Sequence, residues 1–397
     1  MKGSFGCLFF CLIASKGLRA VTHLKWCTKL LETSIALMTN ILQKRLAVAP
    51  MMEWTDRHCR SFHRSLSKQA VLYTEMVTTG ALIHGDVPRH LDYSQDQHPV
   101  VLQLGGSEPS DLAKAAELAQ QWGYDEIDLN CGCPSERVQR GAFGACLMAE
   151  PNLVADCVKA MKSAVDIPIS VKHRLGLDSM DAGNSEQDYQ FALNFILAVA
   201  DAGASQVTIH ARNAVLKGLS PKENRSKPPL RYEVATKLRL DAQKQFPNLQ
   251  VLLNGGLETN EQIAGHWNNF DGFMIGRAAY HFPVMLLGWD DLIDTNGEAA
   301  GYLFSESEWH RIQIGLVKQV QSWFDECREK GKPFYIGAFT RHILGLAHGR
   351  AGSRYWRQRL SDHHALAKVQ SKVAIADFFL DASLTLGDWA AFEFEGA

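Results

Sequence analysis

Asn130-Cys131-Gly132-Cys133-Pro134 is where the residue types and spacing of this chain point most directly to chemistry. Two thiols one residue apart, without a second pair, make a poor metal site, because structural zinc takes four ligands. A thiol carried by a Gly-containing turn at a strand end is well placed to donate a proton. Cys133 is the candidate acid. Cys131 is a rival that composition alone does not exclude.

Other polar residues close apolar runs in the same way. Lys172 and His210 each end one. A lysine aimed into an apolar enclosure is costly unless it meets an anion. A flavin would supply one, because its reduced ring develops negative charge on the pyrimidine side. Gln103 could hydrogen-bond the same ring edge, and Ala49-Pro50-Met51 would make a compact apolar floor. Asn254-Gly255-Gly256 and Gly276-Arg277 are each weak signals alone. Together they suit a phosphate, since glycine lets backbone N–H groups approach an anion and Arg277 adds a charge-assisted contact.

The elements that must position these residues follow from the pattern. Short apolar, β-branched runs occupy 46–51, 70–77, 100–106, 124–132, 168–176, 205–212, 249–256 and 271–278. Amphipathic helical stretches are predicted at 109–122, 152–165, 186–202 and 231–246, and Pro109 and Pro151 suit a first helical turn. Eight strand-then-helix units over roughly 230 residues predict a (β/α)8 barrel, whose active site lies at the C-terminal strand ends. A doubly wound sheet is the second choice. It would carry a Gly-rich fingerprint after the first strand, where this chain has Glu53-Trp54-Thr55-Asp56.

Trp309, Ile312, Leu316, Val320 and Trp323 recur at helical spacing beyond the barrel. The predicted organisation is an N-terminal extension over 1–45, a barrel over 46–285, an all-helical domain over 300–370 and an unassigned tail over 371–397. The extension holds one acid before residue 42, Glu32, and an apolar run at 7–14 far short of the roughly 20 residues that span a bilayer. Residues 1–37 read first as an over-extended start and second as an organellar targeting segment. A cytoplasmic protein away from membranes is the expectation.

Composition narrows the classes. The chain has 397 residues, 46% hydrophobic and 21% charged, with a formal net charge of -2. Disorder and a globally basic nucleic-acid coat are excluded, while a local basic patch is not. Nine scattered cysteines suggest reduced thiols rather than a disulfide framework or a metal site.

Taken together, these segments resemble the tRNA-dihydrouridine synthase family, and closely its A subfamily. The likeness rests on Ala49-Pro50-Met51 running into Glu53-Trp54-Thr55-Asp56-Arg57-His58, Tyr73-Thr74-Glu75-Met76, Leu102-Gln103-Leu104-Gly105-Gly106, Asn130 to Ser135, Val171-Lys172, Ile209-His210-Ala211-Arg212, Ser220 to Arg225, Asn254-Gly255-Gly256 and Gly276-Arg277. The resemblance covers about residues 46 to 360. It implies an FMN-dependent barrel with a helical domain that grips tRNA. By that likeness Ala49, Pro50, Met51, Gln103, Lys172, His210, Asn254, Gly255, Gly256, Gly276 and Arg277 would bind FMN. Cys133, the cysteine followed by proline, would be the general acid, and Asn130 would help hold the uridine. NADPH would reduce the flavin, flavin N5 would pass hydride to uridine C6, and Cys133 would protonate C5. The D-loop pair 20 and 20a is the implied target. A base inside folded tRNA must be extruded to reach a barrel mouth.

Residues 331–361 contain no Asp or Glu but carry Lys332, Arg341, Arg350, Arg354, Arg357 and Arg359. Arg350, Arg354 and Arg357 would share one face of a helix. Beside such a barrel this is a predicted tRNA surface, with Arg354 and Arg357 as the chosen contacts and Lys217 and Arg225 extending it toward the mouth. A monomer is expected. Two other readings remain at this point. One is an FMN barrel oxidoreductase acting on a free pyrimidine or another small molecule. The other is a non-catalytic RNA-binding protein, which the Cys133, Lys172 and His210 set disfavours.

Overall fold

The computed structural model describes residues 45–135, 141, 143–177, 185–298 and 305–386. The expectations for residues 1–37 lie outside these residues.

Eight parallel strands close into a barrel in chain order, and the last pairs with the first. They are β1 (Arg45–Val48), β2 (Val71–Thr78), β3 (Val100–Gly105), β4 (Glu126–Cys131), β5 (Ile169–Arg174), β6 (Gln206–His210), β7 (Gln250–Asn254) and β8 (Gly272–Ile275). Each falls on one of the predicted runs, and closure excludes the doubly wound alternative. Helices Pro109–Gln121, Pro151–Ala164, Ser185–Asp201 and Tyr232–Gln245 stand where the periodicity places them. The first two begin on proline, whose missing N–H costs nothing in a first turn.

Alternation along the strands decides what reaches the lumen. In β4, Ile127, Leu129 and Cys131 belong to the main apolar core between sheet and helices. Glu126, Asp128 and Asn130 take the opposite face, toward the barrel interior. Register then builds polar rows across strands. Gln103 pairs with Asp128, and Asp128 with Ser170. Asn130 pairs with Lys172, Arg174 with His210, and His210 with Asn254. At the opposite end Arg45 Nη1 donates to Glu126 at 2.8 Å and to Gln206 at 2.6 Å, and Gln206 donates to the buried Tyr73 hydroxyl at 3.2 Å. These bonds fill the end of the barrel opposite the C-terminal strand ends with a polar cluster.

The long helix Glu306–Glu329 opens the C-terminal part with a Ser305/Glu308 capping box and buries Trp309, Ile312, Leu316 and Val320. The region left unassigned by sequence contains the helix Lys372–Ser383, which packs on that long helix through Gln313 Nε2 donating to Ser383 Oγ at 2.6 Å. Arg57 fastens the lobe to the barrel, meeting both Glu326 oxygens at 3.3 and 2.9 Å. His58 packs on Trp323 with ring centroids 4.2 Å apart. Among the described residues, no helix is long and apolar enough to cross a membrane.

Candidate active site

A cavity of about 660 Å³ opens at the C-terminal strand ends, within the roughly 300–1,000 Å³ typical of ligand clefts. Its walls include Ala49, Pro50, Met51, Gln103, Asn130, Cys133, Lys172, His210, Asn254, Gly255, Gly256, Gly276 and Arg277. Every barrel residue expected to bind the flavin, donate the proton or hold the uridine therefore faces one space, while Lys217 is exposed on the loop after β6. Arg225, on the same loop, reaches the wall.

The two thiols separate cleanly. Cys131 is fully buried outside the lumen, and burial pushes its pKa well up. Cys133 lines the cavity, with Sγ 3.5 Å from Ser135 Oγ. Period-two alternation was the signal that could have chosen between them, because an inward Asn130 turns Cys131 outward.

The turn bearing Cys133 is anchored twice. Asn130 Oδ1 accepts the N–H groups of Gly132 and Cys133 at 3.1 and 3.0 Å, and Asn130 Nδ2 donates to Gln103 Oε1 at 2.8 Å. Arg174 Nε donates to Gly132 O at 3.2 Å, while its Nη1 reaches Asn224 O at 2.9 Å and Asn213 O at 3.4 Å. Arg174 thereby ties the Cys133 turn to the loop after β6. Nothing in the sequence marks Arg174 for this duty, since its partners are backbone atoms of distant loops.

The electrostatics favour an anion. Lys172, Arg174, Arg225 and Arg277 line the cavity, against Glu53 and Glu258. Burial, with Arg174 beside it, lowers the pKa of Lys172. No described side chain hydrogen-bonds Lys172, so an anion in the cavity is the partner that would hold its charge. Burial and the neighbouring cations Arg174 and Lys172 keep His210 neutral. Asp128, fully buried below Gln103, has its carboxyl pKa raised by burial.

The loops after β7 and β8 form the cradle. Gly255 and Gly256 sit at φ +105° and +73°. A Cβ on Gly255 would lie 2.4 Å from His210 Cδ2, and one on Gly256 2.4 Å from Leu230 Cδ1. Only glycine lets this backbone close against His210. Across the mouth Arg277 Nη2 donates to Arg225 O at 3.1 Å, which holds its guanidinium over the opening. Cationic walls, a half-buried lysine with no hydrogen-bond partner among the described side chains, and a Gly-lined cradle fit a phosphate-bearing flavin.

The expected helical face of arginines is corrected in part. The helix is Ser353–Leu360, so Arg350 precedes it and shares no helical face with Arg354 and Arg357. Arg354 and Arg357 are exposed and have no ion-pair partner among the described residues. Arg341 and Arg359 are neutralised, the first by Asp56 and the second by Asp381.

A closed barrel with a cationic mouth, a Gly-lined cradle and a thiol in the cavity wall fits a class: a (β/α)8 enzyme that works on its ligand with an anionic cofactor. The family model for dihydrouridine synthase (Dus) matches residues 47–382. A tRNA-dihydrouridine(20/20a) synthase of Vibrio parahaemolyticus is 48% identical over 320 residues, covering 80% of this chain and 91% of that relative. Proteins of the same description from Pseudomonas aeruginosa and Xanthomonas campestris are 49% and 50% identical, covering 82% and 80% of this chain and 92% and 88% of their own lengths. The chain belongs to the dihydrouridine synthase family, whose members are flavin-dependent oxidoreductases that form dihydrouridine in tRNA.

Proposed function

We propose that this enzyme reduces the C5=C6 bond of tRNA D-loop uridines at positions 20 and 20a, with FMN as its flavin, NADPH as reductant and Cys133 as proton donor. The observation that carries the reading is the common cavity of Cys133, Lys172 and His210 above a Gly-lined anion cradle. The positions follow the description shared by the bacterial relatives.

FMN, when bound, supplies a hydride to C6 of the conjugated ring. Gly255, Gly256, Gly276 and Arg277 would hold its phosphate, while Ala49, Pro50 and Met51 would floor the ring. Lys172 would meet the negative charge of its pyrimidine edge. His210 and the free N–H of Gln103 offer hydrogen bonds there, and Asn254 closes the wall. On the substrate side, Cys133 Sγ gives its proton to C5, where enolate-like charge gathers. One amide N–H of Asn130 remains for the uridine, since its oxygen is already taken by Gly132 and Cys133. Exposed Arg354, Arg357, Lys217 and Arg225 attract the tRNA backbone.

The test is Cys133→Ala in the full chain. Dihydrouridine formation should fall by about 10²–10⁴-fold, the usual worth of a positioned acid, while NADPH oxidation by the flavin persists. An unchanged dihydrouridine rate would remove Cys133 from the reaction.

A further inference from the structure

Gly132 and Cys133 direct two backbone N–H groups at one atom of Asn130. Two donors require an acceptor, so that atom is the amide oxygen. The Asn130 nitrogen must then face away, and it donates to Gln103 Oε1 at 2.8 Å. This turns the Gln103 nitrogen toward Asp128, where it donates to Oδ2 at 2.6 Å. Flipping either amide would set donor against donor. The sequence of bonds ends on a carboxylate whose other oxygen accepts from Ser170 Oγ at 3.2 Å. Asp128 is fully buried and lies outside the cavity wall, whereas Gln103, Asn130 and Cys133 are part of it. Rotamers locked by such bonds are what hold a reactive group in place.

We infer that Asp128 is a positioning residue that orients the Cys133 turn through Gln103 and Asn130 by offering an acceptor oxygen. This rests on the reading of Cys133 as the proton donor. The competing role is a counter-charge, because Lys172 is the register partner of Asn130 and Asp128 lies close enough to favour its charged form.

Two substitutions separate the roles. Asp128→Asn removes the charge but keeps an oxygen for Gln103, and its new N–H can donate to Ser170 Oγ. Asp128→Leu keeps the approximate shape and removes the acceptor. The leucine variant should lose about 10²-fold in kcat, as small misplacements do, with KM for tRNA held within about threefold. The asparagine variant should stay within about tenfold of wild-type kcat. Alkylation of Cys133 by iodoacetamide, read by mass spectrometry, should change by about fivefold or more in the leucine variant and under about twofold in the asparagine variant. Equal losses in both variants would assign the role to charge and overturn the inference. So would a leucine variant with wild-type values.

If the leucine variant does not fold, polarity reversal provides the second test. Asn130→Asp needs a donor from Gln103, whose single amide nitrogen then has carboxylates on both sides. Adding Asp128→Asn supplies an N–H to the turned Gln103 oxygen and restores a consistent series. The double variant should melt above Asn130→Asp alone, and no recovery would overturn the inference. Alkylation and melting need no turnover. A wild-type chain that makes no dihydrouridine would therefore sink the functional reading while the bonding series is still judged on its own readouts.

Discussion

Asp56 accepts a hydrogen bond from Arg341 Nη2 at 2.5 Å, across 285 residues of sequence, and lies 3.0 Å from His342 Nε2. The same carboxylate caps the helix Arg57–Leu66 through the N–H groups of His58 and Cys59. Tyr280 joins the cluster, its hydroxyl 3.2 Å from His342 Nδ1 and its ring stacked on Trp54 at 4.4 Å. Trp54 lines the cavity. One acid thus sets the start of a barrel helix, the seat of the helical lobe and, through Tyr280, part of the mouth.

This relationship is pH-dependent. Burial pushes the Asp56 carboxyl up, but the hydrogen bond and charge of His342 and the Cys59 amide outweigh it, so the pKa falls well below the usual carboxylate range. A depressed folded value adds stability above the unfolded value of about 3.9, and that stability is lost as pH falls from there toward the folded value. Asp56→Asn should melt below wild type at neutral pH, with the gap closing below about pH 4. Melting temperature against pH checks this, and a gap constant with pH would contradict it.

Arg354 and Arg357 have no ion-pair partner among the described residues, whereas Arg359 is spent on Asp381, which also accepts from Tyr355 Oη at 3.3 Å. Arg354→Ala with Arg357→Ala should reduce the slope of log binding constant against log salt by about two and leave melting unchanged. Arg359→Ala should do the reverse, lowering melting with little effect on the slope. Salt titrations of tRNA binding and thermal melts distinguish the two patterns.

Lys172, in the proposed role, would trade stability for ligand binding. Burial lowers its pKa, so the unfolded chain binds more protons than the folded one between that lowered value and about 10.4, and folding stability rises with pH across the window. Lys172→Met should abolish that rise and leave the flavin-free protein no less stable at neutral pH. It should also retain less flavin, read as visible absorbance per mole of protein. A methionine variant that keeps its full flavin content would contradict the assigned role.

Gly255 is held at φ +105° against His210. Gly255→Ala should cost about 1–3 kcal/mol from backbone strain alone and displace His210 from the wall. Denaturant unfolding measures the first effect, and flavin content of the purified variant the second.

Much of this was legible in the sequence because a barrel repeats one unit and places polar residues at predictable strand ends. Gln103, Lys172, His210 and Asn254 each closed an apolar run, and register alone brought them together. Asp128 passed unnoticed because it lies inside its run, although the inward series Glu126, Asp128, Asn130 was readable as period two. Arg341 and Arg359 looked like free charge because their partners, Asp56 and Asp381, are remote in sequence or lie in a segment with no clear pattern. That segment, Lys372–Ser383, is apolar on most sides, so it shows little periodicity until the helix Glu306–Glu329 is there to cover it. Arg350 was misplaced because Gly352, at φ +79°, starts the helix later than charge spacing implied.

The most direct test is to incubate the purified chain with FMN, NADPH and unmodified tRNA and to map, by mass spectrometry of nuclease fragments, every uridine that gains the mass of two hydrogens. The account expects that gain in the D-loop at positions 20 and 20a, with no gain when NADPH is withheld. A flavin-loaded protein that leaves every uridine of the tRNA unchanged, or one that takes up no flavin at all, would contradict it.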